Sequence, residues 1–168
     1  MRISARADYA VRAVVELAGI GGDEPVKAVR IARAQQLPPK FLLNILVELK
    51  QAGLLQSHRG TEGGFLLALD PAEITIADVV RAIDGPLARV GDERPEDRRY
   101  PGSAAALRDV WVAVRMSLRA VLENVTVADV SRGTLPPSVQ QLLGRPDAWT
   151  GKTAMHSHLT GSRAHRHG

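Results

Sequence analysis

The chain has 168 residues, 45% hydrophobic and 24% charged, which is the size and usage of one globular domain with short extensions. That composition excludes a wholly disordered or fibrous chain, and no apolar run approaches the roughly 18 residues that would span a bilayer. The formal net charge is +4 with 22 basic and 18 acidic residues, and cysteine is absent, which removes disulfides, thiolate metal sites, cysteine nucleophiles and cysteine-ligated iron–sulfur clusters together.

The N-terminus enters Arg2, Arg6 and Asp8 with no apolar signal core, so the expected location is the cytoplasm. Residues 4–18 read as a helix. Ala7, Ala10, Val11, Val14, Leu17 and Ala18 lie on one stripe, Ser4 is the expected N-cap, and Gly19, Gly21 and Gly22 end the element. A shorter helix is expected over 27–35, with Ala28, Ile31 and Ala32 inward and Lys27, Arg30 and Arg33 outward. Pro38 and Pro39 open a third helix, where proline costs no amide partner. Leu42, Ile45, Leu46 and Leu49 form its buried stripe, and Gly53 takes the position after its end. Residues 54–59 and 65–69 then read as a hairpin around Gly60, Thr61, Glu62, Gly63 and Gly64. Thr75 and Asp78, in capping-box spacing, start a fourth helix with Ile76, Val79, Val80 and Ile83 as its core face, and Gly85-Pro86 stops it. A polar loop follows. Ser103 is expected to cap the longest helix, running to about Asn124, with Leu107, Val110, Trp111, Val114, Leu118, Val121, Leu122 and Val125 on one stripe. Thr126 and Asp129 form a second capping-box pair before a terminal turn. Pro136-Pro137 breaks the chain, 138–143 forms one more turn, and the chain from Thr150 reads as disordered. No internal repeat is evident.

Three helices followed by a glycine-tipped hairpin is the element order of a winged helix, so the fold class is mainly α with a small β wing. A helix fits the major groove of B-DNA, and the helix before it braces it against the backbone. Lys40, Asn44, Glu48 and Gln51 recur on the third helix opposite its leucine stripe. Asparagine pairs bidentately with adenine, and a lysine near the helix start reaches a phosphate or guanine. Arg59 and the glycine amides of the hairpin tip suit phosphates or the minor groove. Charge location agrees. Between Val26 and Thr61, Lys27, Arg30, Arg33, Lys40, Lys50 and Arg59 stand against Glu48 alone, a local +5. The last nineteen residues, with Lys152, Arg163 and Arg166 and no acid, supply +3 of the net +4, so the rest of the chain is close to neutral overall. Aromatics at 4% argue against a stacking platform for single strands.

These motifs resemble a known family. The opening Met1-Arg2-Ile3-Ser4 with Tyr9-Ala10-Val11-Arg12-Ala13, the wing from Arg59 to Phe65, the stretch from Glu73 to Val80, the break from Asp84 to Leu87 and the end from Thr126 to Val130 are similar to the Rrf2 family of bacterial transcription regulators over about residues 1–131. The resemblance implies a homodimeric winged-helix regulator, not an enzyme, on a palindromic double-stranded operator. The expected parts are a DNA-binding domain at 1–85, a variable, signal-sensing loop at 86–102, a dimerisation helix and short turn at 103–131, and a largely disordered extension at 132–168. Expected DNA contacts are Lys27, Pro39, Lys40, Asn44, Arg59, Gly60 and Thr61. The expected dimer seam is Leu107, Trp111, Val114, Leu118, Val121 and Leu122. Many members hold an iron–sulfur cluster through three cysteines in the loop before the long helix. Here that loop has none, and Asp8 alone cannot replace them. No cofactor or metal is therefore expected, and the signal is expected to be a small molecule or a protein. Members often carry glutamate where this chain has Leu43, so a carboxylate that accepts from cytosine is missing and a different operator is expected. The remaining sequence is closer to cluster-free members tied to sulfur and cysteine metabolism.

Plainer readings compete. The outer face of the third helix could be solvated surface, Arg59 a hairpin end, and the long stripe an internal core. About 85 residues precede the loop, however, which is little apolar surface to cover such a helix, so a partner subunit is the better burial site. A winged-helix module that docks on an enzyme or assembly without reading DNA is the rival function. Gly151-Lys152-Thr153 lacks the first glycine of a phosphate loop, that position being Pro146. His156, His158, His165 and His167 read as a solvated tail, since flexible pairs make poor metal sites. Ser57 and His58 are neighbours on a strand, facing opposite ways, so with Asp70 they make no catalytic group.

Overall fold

The computed structural model describes residues 3–151. The expectations for the histidine tail and for Lys152 and Thr153 lie outside them. The described residues up to Pro136 form one compact unit, and a second begins at Pro137.

Helix α1 (Ala5–Ile20) starts where the Ser4 hydroxyl accepts from the Ala7 amide at 3.0 Å. It runs past the expected end at Ala18: Gly19 is helical and Gly21 is the stop. Helices α2 (Ala28–Gln35) and α3 (Pro39–Gln51) follow the expected bounds closely. Leu42, Ile45, Leu46 and Leu49 of α3 are buried against α1 and α2. The exit of α3 is a Schellman turn, with the Leu54 amide donating to the Leu49 carbonyl and the Gly53 amide to the Lys50 carbonyl, both at 3.0 Å. Strands β1 (Leu55–His58) and β2 (Gly64–Leu67) pair antiparallel, Leu55 opposite Leu67 and His58 opposite Gly64. Val26 extends this wing: its amide and carbonyl exchange hydrogen bonds of 2.9 Å with Phe65. Gly64 permits that approach, because a Cβ there would lie 2.4 Å from the Val26 carbonyl oxygen.

Helix α4 (Ile76–Asp84) and helix α6 (Val127–Arg132) both begin with complete capping boxes, Thr75 with Asp78 and Thr126 with Asp129. The two starts lie side by side. Thr75 faces Thr126, the Ile76 amide donates to the Val125 carbonyl at 2.9 Å, and the Val127 amide to the Ile74 carbonyl at 2.8 Å. Residues 74–80 (ITIADVV) and 125–131 (VTVADVS) are therefore a short structural repeat, which corrects the reading that the chain has none. Val127 is fully buried in the core that also holds Val14, Ile31, Leu46 and Val79, so α6 returns to the helices that carry α3.

Ser103 does not cap the next helix. It lies inside a 3-10 turn at Gly102–Ala104, held by Ala104 N–H to the Pro101 carbonyl at 3.2 Å. The chain is thus already wound when α5 (Leu107–Leu122) begins, and the residue before α5 is Ala106. At 16 residues α5 equals α1 rather than exceeding it. It ends before Val125, which leaves the stripe and is buried. The loop before it is not uniformly polar: Leu87, Ala88 and Pro95 are buried, Pro95 opening a second 3-10 turn at Pro95–Asp97. Beyond the first unit, helix α7 (Pro137–Leu143) lies where one more turn is expected over 138–143, and Trp149 Nε1 donates to the Leu143 carbonyl at 3.0 Å.

Candidate nucleic-acid interface

The two helices of the helix-turn-helix are clamped by α1. Arg6 Nη2 donates to both carboxylate oxygens of Glu48 on α3, at 2.5 and 2.6 Å. Tyr9 meets Phe41 of α3 edge-on at 5.8 Å between ring centres, with the Arg12 guanidinium 5.8 Å from the Tyr9 ring. Arg12 also donates to the carbonyl of Gln35 at the end of α2, whose side chain in turn donates to Glu16 at 2.6 Å. These contacts fix the attitude of α3, and the leucine stripe anchors its inner side.

The outer side of α3 is open. Pro39, Lys40, Asn44 and Gln51 are exposed, and the side chains of Lys40 and Asn44 have no polar partner among the described residues. Glu48 was expected on this face and is not: it sits half-buried on the flank, held by Arg6. Its place is taken by apolar groups, Leu43 at 46% and Val47 at 41% exposure. Val47 is three residues from Asn44 and four from Gln51, so helical spacing alone places it there; a search confined to polar side chains passes over it.

The wing carries the second set. Arg59, Gly60 and Thr61 are exposed at its tip, where Gly60 has φ 105° and its carbonyl accepts from the Gly63 amide at 3.0 Å. Lys27, the N-cap residue of α2, follows Val26 directly and so stands beside the tip-proximal start of β2 through the antiparallel Val26–Phe65 pairing. The electrostatics sharpen this picture. All six basic residues between 26 and 61 are exposed, and none forms an ion pair among the described residues. The single acid of that stretch, Glu48, is already neutralised by Arg6. The local positive charge is therefore free to meet an anionic partner. By contrast Asp70 accepts from the Ala72 amide at 2.8 Å as a turn residue.

The expected dimer residues lie together on α5. Leu107, Trp111, Val114, Leu118, Val121 and Leu122 are each half-buried, and no residue of α5 is buried. Leu122 differs from the others in packing on the small cluster of Ala7, Ala77, Val80 and Leu87, so its surface is partly spent inside the chain. Glu123 ties the end of α5 to α4: Arg81 and Arg119 both donate to it, and these bonds hold its carboxyl below the usual value of 4.5.

Comparison with known proteins agrees with this geometry. The Rrf2 family model, described as an iron-dependent transcriptional regulator, matches residues 3–133. Rv1287 of Mycobacterium tuberculosis, an HTH-type transcriptional regulator by name, is 53% identical over 142 residues, covering 84% of this chain and 88% of its own. CymR of Bacillus subtilis is 31% identical over 137 residues, 80% of this chain and 92% of CymR. The solved structure of CymR, the global cysteine regulator of B. subtilis, superposes with a TM-score of 0.66 over 80% of this chain and 98% of its own at 31% identity. That of T. potens IscR gives 0.64 over 79% and 88% at 30% identity. Fold and relatives together define a winged-helix, DNA-binding transcription regulator rather than an enzyme. The chain belongs to the Rrf2 family. The iron in the family description does not fit its residues: the sequence holds no thiolate, and among the described residues no group of three histidine, aspartate or glutamate side chains converges as a metal site. No helix among the described residues is long and apolar enough to cross a membrane.

Proposed function

We propose that the chain is a homodimeric, sequence-specific repressor that binds a palindromic operator in the cytoplasm and is released or retained by a small-molecule or protein signal. The observation that carries this reading is α3, rigidly clamped on its inner side and presenting Lys40, Asn44, Val47 and Gln51 outward. Residues 1–85 read DNA, 103–131 join the two copies, and the loop 86–102 takes the signal. Lys27, Lys40 and Arg59 meet phosphates, with Pro39, Gly60 and Thr61 bringing backbone close to the duplex. Asn44 reads a base edge. Leu43 and Val47 favour thymine methyl groups, where a carboxylate at 43 would favour cytosine. The seam is the open stripe from Leu107 to Leu122. Bound at a promoter, such a dimer excludes polymerase, and a signal that prefers one helix spacing shifts operator affinity by its difference in binding the two states. The likeness to CymR adds a regulon in cysteine or sulfur metabolism. Genome-wide occupancy of the tagged protein, followed by binding to the recovered fragments across a salt series, tests the reading. Selective binding to a shared palindrome supports it. Equal affinity for scrambled duplex leaves only the electrostatic attraction and refutes sequence-specific control.

A further inference from the structure

The loop that precedes α5 is charge-balanced in sequence: between 86 and 102, Arg89, Arg94, Arg98 and Arg99 stand against Asp92, Glu93, Glu96 and Asp97. In the fold Arg98 lies 3.8 Å from Glu93, while Arg89 and Arg94 meet arginines of other elements. A cavity of about 200 Å³ opens between this loop, α4 and α5. Its walls gather Arg81 from α4, Arg89 and Arg94 from the loop, and Arg115 and Arg119 from α5, with Glu96 as the one acid among its lining residues. Part of that charge is met inside the chain. Arg115 pairs with Glu96, Arg81 and Arg119 share Glu123, and Arg81 also lies 3.9 Å from Asp78. Five guanidinium groups thus face three carboxylates. Arg89 spends a donor on the Asp92 carbonyl, and the Arg94 side chain makes no hydrogen bond among the described residues. Arg115 carries a further sign: its Nε is buried with no acceptor among the described residues. Buried donors are ordinarily satisfied, and several guanidinium groups gathered in one cleft with fewer carboxylates suit the recognition of an oxyanion.

We propose that this cavity binds a small oxyanion, a molecule presenting a sulfate, phosphate or carboxylate group, as the signal of the regulator. The inference rests on the effector-controlled reading above and names its ligand chemistry. Size limits the ligand. A cavity of about 200 Å³ has room for a free anion or a small acid. Position supplies the coupling. A ligand bridging Arg81 of α4 to Arg115 and Arg119 of α5 ties the stripe-bearing helix to a helix that packs on α1 and α3. By linkage, operator DNA and oxyanion then alter each other's affinity by the same factor.

The chain has two tryptophans, and Trp111 lies one turn before Arg115 on α5. The Trp149→Phe full-length protein therefore reports on the cavity by its remaining fluorescence. Sodium sulfate, sodium phosphate and sodium acetate are titrated separately, with sodium chloride holding ionic strength constant. The expected result is a saturating change with at least one oxyanion, the tightest of the three naming the group. The Kd should rise about tenfold or more in Arg94→Gln and in Arg115→Gln. Arg94 is exposed on the loop, so its variant tests the site even if loss of Arg115 disturbs folding, which a circular dichroism melt reveals. A response that fails to saturate, that chloride reproduces, or that both variants leave unchanged overturns the inference. Duplex binding by the same protein without oxyanion separates the two readings. Sequence-selective binding with no saturating oxyanion removes this site alone, whereas binding that ignores sequence removes the regulator reading itself.

Discussion

Replacing Asn44 with alanine isolates base reading from folding. The residue is exposed on α3 and its side chain has no polar partner among the described residues, so the truncation should change stability by less than about 0.5 kcal/mol. Any larger effect must arise on DNA. One bidentate contact to adenine contributes about 1–3 kcal/mol of discrimination, and a dimer uses the residue twice. The summed loss is then about 2–6 kcal/mol, which at 1.4 kcal/mol per tenfold is at least about 30-fold in Kd. Fluorescence anisotropy on the operator and on a panel of single base-pair variants measures it. Affinity should fall on the operator, while one symmetric pair of positions stops mattering to the variant. Arg59→Ala is the control, because a phosphate contact carries no sequence information. It should weaken all duplexes alike and reduce the slope of log K against log salt by about 2 for the dimer, near 0.9 for each phosphate released. If Asn44→Ala weakens every sequence equally, α3 does not read DNA through this residue and the argument fails at its centre.

The apolar part of the reading face is tested by uracil. Exchanging thymine for uracil under Leu43 removes one methyl per half-site, about 0.8 kcal/mol each, so wild type should lose about tenfold while Leu43→Ala loses nothing further; equal losses would take Leu43 out of recognition. Leu118→Asp puts a charge in the open stripe of α5 and should yield monomers by light scattering; an unchanged dimer would place the seam elsewhere. Asp129 is held below its usual value of 3.8 by the Thr126 amide and hydroxyl. Because folding depresses this acid, its contribution is complete above that value and drains away as pH falls through the lower folded one. Melting temperatures of wild type and Asp129→Asn should therefore differ at pH 7 and converge towards pH 2, and a gap independent of pH would refute the role of the charge.

What could be read from the chain was what is local. The capping boxes at Thr75 and Thr126 span three residues each, and the stripe on α3 follows from helical spacing, so both are written in adjacent positions. What escaped joins distant positions or lacks a strong pattern. The Arg6–Glu48 pair crosses 42 residues, and it alone explains why Glu48 is absent from the reading face. Val26 completes the wing from outside the hairpin. The arginines of the cavity come from α4, the loop and α5, each segment looking unremarkable alone. The paired segments at 74–80 and 125–131 are only seven residues long and exchange isoleucine for valine, so their kinship stands out once the two helix starts lie side by side. Ser103 misled because a serine before an apolar stripe reads as a cap whether or not a 3-10 turn precedes the helix.

Selection of bound sequences from a random duplex library with the purified full-length protein tests the central claim most directly, with the mass of the selected complex measured by light scattering. Two copies of an 18.1 kDa chain holding paired α3 helices should enrich inverted repeats. Their half-site centres should lie about 10–10.5 base pairs or a multiple apart, with two chains per duplex. Enrichment of an unrepeated site by a single chain, or no enrichment at all, would contradict the account.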